Sequence, residues 1–383
     1  MKLDSKLARP GLWIVLALAC AQSPQAFVDC RITDGITPIC GLQNPEDLAR
    51  IPEAPWLVVS QMRRGERPGS LIALPVKGSH GQRLFPNPER HDVYGRQPGW
   101  GDPSCPGAPD PARFAPQGID ILRRTDTPVL AVLNHGSRGK REAIELFELF
   151  LDGETPAATW RGCAQLPADA QGNDVALTPT GELLVTRMMS RGGGLWQGLE
   201  IALGLDTGSV LRWEGGVGWR SVPGTDASGA NGVETSVDGS KIYFTAMGSN
   251  ELVRVDATGD PERISIPLER GDNLSWAPDG QLLVASHTAG LRALMGCRSI
   301  ERGSCGTSFR IVSVDPQSLE AHPILERSGP PIGAVSVAVQ VGQQLFLGSF
   351  AGDRVGRYEG VREAPASGST VEQRSGPNVT ARR

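Results

Sequence analysis

Seven oxygen-donor side chains in this 383-residue chain open short strand-like units: Glu46, Asp47, Asn173, Asp174, Asn231, Asp272 and Asn273. Carboxylate and carboxamide oxygens are hard ligands, and no thiol stands among them. Roughly six to eight such oxygens suit calcium, whereas zinc calls for His or Cys. Taken singly each residue is ordinary, because Asn-Gly and Asn-Asp are common turn dipeptides. Their shared position is what carries information. Residues 230–246, ANGVETSVDGSKIYFTA, read as a polar opening, a β-rich run, an Asp-Gly turn and a second run, which is a hairpin signal. Gly172-Asn173-Asp174, Asp272-Asn273 and Gln117-Gly118 open stretches of the same grammar.

The elements that must position these residues are repeated. Unit starts at Asp47, Gln117, Asn173, Asn231 and Asn273 lie 70, 56, 58 and 42 residues apart, and runs at 334–339 and 344–348 suggest a sixth unit. A module of strands and turns at such periods predicts an all-β, six-bladed β-propeller rather than a sandwich, whose strands would not reproduce the same opening. Innermost strands line a propeller's central channel, so equivalent blade positions converge there. Neighbours in an extended segment point opposite ways. One channel site can therefore take Glu46, Asn173, Asn231, Asp272 and Asn273, and a second Asp47 and Asp174. Each set holds two carboxylates, which matches one divalent cation, and carboxylates crowded without a cation would repel.

Bulk composition agrees with this class. Gly 48 and Pro 30 are enriched, and a net charge of −4 gives no reason to expect nucleic acid as a partner. Lys2, Lys6 and Arg9 precede an apolar run at 12–19, followed by Ala19-Cys20-Ala21, the layout of a signal peptide over 1–21. The run is short for a spanning helix; left uncleaved, it would give a membrane contact. Export to the periplasm or outside the cell is the expectation, and the remaining six cysteines can then pair. Cys30 with Cys40 and Cys297 with Cys305 are the local pairings, leaving Cys105 with Cys163. The propeller is expected over 28–361 and a disordered tail over 362–383. Residues 85–116, rich in Pro, Gly, Asp and Arg, read as a long surface excursion. Leu195, Leu199, Ala202 and Leu203 follow three glycines at helical spacing, a helix packed on the rim or one walling a pocket.

Several motifs resemble the paraoxonase/arylesterase family in family order: NPEDL at 44–48, LNH at 133–135 with IELF at 144–147, and GNDVAL at 172–177. ANGVETSVDG, GDNLSWAPDGQLLVASH at 271–287 and VSVAVQVGQQLFLGSF near the end extend the similarity over about residues 30 to 358. The wider superfamily includes gluconolactonase-, regucalcin- and strictosidine-synthase-like propellers. The resemblance implies two calcium ions in the central channel. Glu46, Asn173, Asn231, Asp272 and Asn273 match ligands of the catalytic ion; Asp47, Asp174 and the backbone of Ile119 match those of a structural one. It also implies hydrolysis of lactones or aryl esters, with calcium polarising the carbonyl and a base activating water.

His135 matches the outer member of the family's histidine pair and is the catalytic candidate. The inner histidine is replaced by Gln117, which can hold a water but cannot take its proton, and three outcomes are open: Glu46 or Asp272 serves as base, His135 acts alone through water, or catalysis is weak or absent. Gln117 and His287 are expected to line the substrate pocket; for His287 the alternative is a surface-loop histidine. No Gly-x-Ser-x-Gly elbow, HExxH or phosphate-binding Gly-x-x-x-x-Gly-Lys motif is present. Two readings follow: a calcium-dependent hydrolase of small lactones or esters, and a non-catalytic calcium-stabilised propeller that binds a small ligand or protein.

Overall fold

The computed structural model describes residues 26–89, 94–124, 127–136, 142–258 and 262–360. The leader expected at 1–21 and the tail expected at 362–383 lie outside the described residues. Six four-stranded antiparallel sheets form a six-bladed propeller, with a two-stranded ribbon of Ala26–Phe27 against Ser304–Cys305. The inner strands are Pro45–Arg50, Pro116–Arg124, Ala170–Leu177, Ala230–Thr235, Gly271–Trp276 and Val335–Val341. They begin blades 1 to 6 in chain order, at the unit starts read from the sequence. The closure was not legible there. Ile36–Cys40 pairs with Arg354–Glu359 and supplies the outer strand of blade 6, so the described ends of the chain fasten the ring to itself.

Six hydrophobic clusters fill the six gaps between blades. Val58, Leu71 and Phe85 of blade 1 meet Leu130, Phe147 and Trp160 of blade 2. Phe346 and Val337 of blade 6 meet Leu57 and Val59 of blade 1, closing the circle. A blade's two faces are thus both apolar, which is why strands such as Leu282–His287 carry continuous rather than alternating apolar residues. A single four-stranded sheet could not bury these faces; stacking neighbours does so at roughly 1.5–3 kcal/mol per large side chain.

The three disulfides pair as read from the sequence: Cys30–Cys40, Cys105–Cys163 and Cys297–Cys305. The second ties down the long surface excursion read over residues 85–116. Besides that bond, Phe85 and Phe114 are buried in edge-on contact, and Asp102 Oδ1 accepts the indole N–H of Trp213 in blade 3 at 2.8 Å. The segment straps blades 2 and 3 together. Because Cys105–Cys163 closes a separation of 58 residues, the double serine replacement is expected to lower stability by about 2–4 kcal/mol in urea unfolding.

A helix forms at Gly194–Ala202, but its apolar face does not pack on the rim as the spacing suggested. Leu195 is 95% and Leu203 67% exposed, so that face covers no core. The helix is seated at its other end, where the Ser228 hydroxyl donates to the Ile201 carbonyl at 3.2 Å.

Candidate active site

Every inner strand departs from its ladder near its start, and in blades 1, 3, 4 and 5 donor residues stand at that point. Register shifts fall between Pro45 and Asp47, Pro116 and Ile119, Gly172 and Val175, Ala230 and Val233, Gly271 and Leu274, and Val335 and Val337. The skipped residues are Glu46, Gln117-Gly118, Asn173-Asp174, Asn231-Gly232, Asp272-Asn273 and Ser336. A bulge frees a residue from strand pairing and re-aims its side chain. Here six bulges at one level of the channel do so together. Glycines let them approach: a Cβ on Gly118 would stand 2.2 Å from Asp174 Oδ1, and one on Gly232 would stand 2.5 Å from the Asp272 carbonyl.

Hydroxyls of the second strands clasp these bulges. Thr186 accepts from the Asp174 N–H at 3.0 Å and donates to the Asn231 carbonyl of the next blade. Thr245 repeats the pattern one blade on, accepting from Gly232 and donating to Asp272, both at 2.9 Å. Both threonines are fully buried. The sequence does not single them out, because Thr186 and Thr245 stand at different offsets, 13 and 14 residues, from the openings at Asn173 and Asn231.

Four of the five residues expected around the first ion present a buried oxygen that has no hydrogen-bond partner: Glu46 Oε2, Asn173 Oδ1, Asn231 Oδ1 and Asn273 Oδ1. An unsatisfied buried oxygen costs roughly 1–3 kcal/mol, and a bound cation is a group that would complete all four. Two amide nitrogens meet methionine sulfurs, Asn173 Nδ2 at 3.9 Å from Met188 Sδ and Asn231 Nδ2 at 3.8 Å from Met247 Sδ, while Asn273 Nδ2 donates within the set to Glu46 Oε1 at 3.1 Å. Asp272, the fifth, is bound through Oδ2 by His287 Nε2 at 2.7 Å. Among the described residues no three His, Cys, Asp or Glu side chains are arranged to hold a metal by themselves; in this set amides supply three of the five donors, as suits a hard cation.

The second set is engaged differently. Asp47 accepts the N–H groups of Leu48 at 2.8 Å and Ile119 at 2.6 Å, and Asp174 those of Val175 at 2.8 Å and Val233 at 2.9 Å. Each carboxylate therefore ties its own blade to the next. What fits a cation here is charge rather than an orphaned atom. Burial first, then Asp47 and Asp272, raises the Glu46 carboxyl well above the usual range. Burial pushes Asp47 to about 8, and burial followed by Asp47 raises Asp174. Two further carboxylates, missed in the sequence, extend this column. Asp120 accepts from Leu177 at 2.7 Å and is raised to about 6 by burial, and Glu234 is raised by burial and then by Asp120. Both stand three residues past their blade's bulge residue, Gln117 or Asn231.

His135 and Gln117 are adjacent, with Nε2 of the imidazole 2.5 Å from Gln117 Oε1. His135 Nδ1 meets both oxygens of Glu142, at 3.0 and 2.8 Å. Glu142 was also missed; pairing the hairpin strands by register, Asn134 with Ala143, would have set residues 135 and 142 opposite each other. His287 is 1% exposed and packs edge-on against Phe350, which removes the surface-loop alternative. Two cavities, about 20 Å³ beside Trp100 and Trp213 and about 380 Å³ beside Ala54 and Phe150, lie on blade flanks away from these residues.

The family model described as arylesterase matches residues 92–353, more than half of the chain. No curated protein matches it. Among solved structures, a gluconolactonase of Xanthomonas campestris is similar at 15% identity and a TM-score of 0.52, covering 89% of this chain and 95% of that one. A luciferin-regenerating enzyme is similar at 14% identity and a TM-score of 0.50, covering 85% and 98%. At such identities these likenesses concern the fold alone.

Proposed function

Because this chain belongs to the arylesterase family, we propose that it is a calcium-dependent hydrolase of small lactones or aryl esters. The observation that carries the reading is the set of four unpartnered buried oxygens on Glu46, Asn173, Asn231 and Asn273. With Asp272 they would hold one ion at the channel mouth, and Asp47, Asp174 and the Ile119 backbone a second beneath it. Bound there, calcium would supply Lewis-acid polarisation of a carbonyl.

The chain's own residues supply the proton chemistry. Gln117 orients a water by hydrogen bonds, and His135 accepts its proton at Nε2 as the oxygen bonds to the carbonyl carbon. The same proton then passes to the departing alkoxide or phenoxide, which leaves as alcohol, phenol or the hydroxyl end of an opened lactone. Asp272 is held by His287, so its carboxylate is oriented before any substrate arrives. Three disulfides favour an oxidising compartment, periplasmic or extracellular.

Purified protein is expected to turn over members of a panel of lactones and phenyl esters, and chelator is expected to abolish that turnover until calcium is restored. The absence of chelator-sensitive turnover on the whole panel would sink the reading. One observation favours the other reading, calcium-stabilised binding without turnover: Gln117 cannot take a proton. Ligand-dependent stabilisation on the same panel without hydrolysis is the result it requires.

A further inference from the structure

We infer that Glu142 is a positioning residue for His135: its carboxylate holds the proton on Nδ1 and so turns the lone pair of Nε2 toward Gln117 and the channel. The inference rests on the reading of His135 as the proton acceptor and names the group that prepares it.

The Glu142 side chain is 3% exposed, and both its oxygens lie within 3.0 Å of Nδ1. A carboxylate only accepts, so Nδ1 donates. A neutral imidazole has one N–H; once that is committed to Glu142, Nε2 is necessarily the acceptor. The Arg191 guanidinium, 3.9 Å from Glu142 Oε1, sets a positive charge beyond the carboxylate. Both members are anchored through the backbone, His135 N–H on the Ala115 carbonyl at 3.0 Å and the Glu142 carbonyl on the Leu166 N–H at 2.9 Å. The pair is therefore fixed at the end of a hairpin rather than carried on two free side chains.

Gln117 completes the arrangement because a carboxamide can serve either state of the ring. Its Oε1, 2.5 Å from Nε2, is the partner of a protonated nitrogen; turned over, its N–H donates to the lone pair of the neutral one. In both states the other amide atom is left for water. When water attacks a carbonyl, the Gln117 N–H gives up the single Nε2 lone pair to the water; the water's O–H bond breaks, the new O–C bond forms as the carbonyl π pair moves onto its oxygen, and the proton arrives at Nε2. Glu142 keeps Nδ1 occupied throughout, so the accepting nitrogen is always the one that faces Gln117.

Five histidines are few enough to assign in a long-range proton–nitrogen correlation spectrum of labelled protein, using His135→Gln to identify one of them. At about pH 9, above the usual imidazole range, the parent is expected to show His135 protonated at Nδ1. Glu142→Ala is expected to lose that tautomer and to lower kcat roughly 10- to 100-fold with KM within about twofold. Glu142→Asp is expected to restore the tautomer and part of kcat, which a merely structural ion pair would not do. A parent with its proton on Nε2, or a Glu142→Ala variant that keeps Nδ1–H, overturns the inference. If Glu142→Ala does not fold, the parent spectrum and Glu142→Gln, which keeps an accepting oxygen, decide. A protein that hydrolyses nothing would defeat the functional reading alone, because the spectrum reads His135 without substrate.

Discussion

Calcium is expected to raise the unfolding temperature of chelator-treated protein by roughly 8 °C at pH 8 and by much less at pH 5. A cation at about a thousandfold over its dissociation constant stabilises by ~4 kcal/mol, and each kcal/mol moves a chain of this size by roughly 2 °C. The pH dependence comes from the channel carboxylates. Glu46, Asp47, Asp120, Asp174 and Glu234 all have folded values raised above their ordinary ones, burial being the first cause in each. A raised carboxyl favours the fold while it is protonated. Its contribution is complete below the unfolded value near 4 and is lost as pH rises through the folded value, about 6 for Asp120 and about 8 for Asp47. For Asp120 alone, moving from 3.8 to about 6 corresponds to on the order of 3 kcal/mol. Metal-free protein should therefore lose stability between pH 5 and pH 8, and calcium should remove that loss by supplying the countercharge that protons supply at pH 5. Thermal unfolding at both pH values, with and without calcium, checks this. Equal midpoints in all four conditions, or metal-free protein that gains stability as pH rises, would remove the case for a cation in the channel.

Asn231→Ala is expected to lower turnover by at least about 100-fold while the unfolding temperature of the metal-free protein stays within a few degrees of the parent. Its Oδ1 has no partner, and its Nδ2 meets only the weak acceptor Met247 Sδ at 3.8 Å, so the fold loses little with the carboxamide. The Asn231 backbone stays clasped by the Thr186 hydroxyl. Asp174→Ala makes the opposite case. It strands the N–H groups of Val175 and Val233, each a buried donor costing roughly 1–3 kcal/mol, and removes one of the ties between blades 3 and 4. That variant is expected to fail to fold or to unfold at much lower temperature. Activity assays and thermal unfolding of both variants decide; two variants that behave like the parent would dissolve the division into two ion sites.

Much of this architecture was legible because a propeller repeats a local pattern. Asp-Gly turns, β-rich runs and polar openings are decided within about ten residues, and the starts at Gln117, Asn173, Asn231 and Asn273 fall on inner strands for that reason. Disulfide pairing followed from short separations for two pairs and from what remained for the third. Local spacing misled where an outcome depended on a distant surface. Leu195, Leu199 and Leu203 lie on one face of a helix, yet periodicity cannot say whether a core is waiting for them, and none is. Residues 85–116 have the composition of a loop, but a bond to Cys163 and a contact with Trp213 turn them into a strap.

By itself, then, the chain's order of residues determined the blade count and the oxygen-donor chemistry at the blade openings, because each is a matter of residue type at a recurring position; that Gln117 stands where a histidine is expected came from the family resemblance instead. Only the tertiary structure decided which oxygens are left without partners, which carboxylates instead hold the next blade, and that Asp120, Glu234, Glu142 and the two threonines belong to the same assembly. Those outcomes depend on bulges that break strand alternation and on approaches between blades some sixty residues apart in sequence. Desolvation and hydrogen bonding act at that range in space, and neither is written in the spacing of the letters.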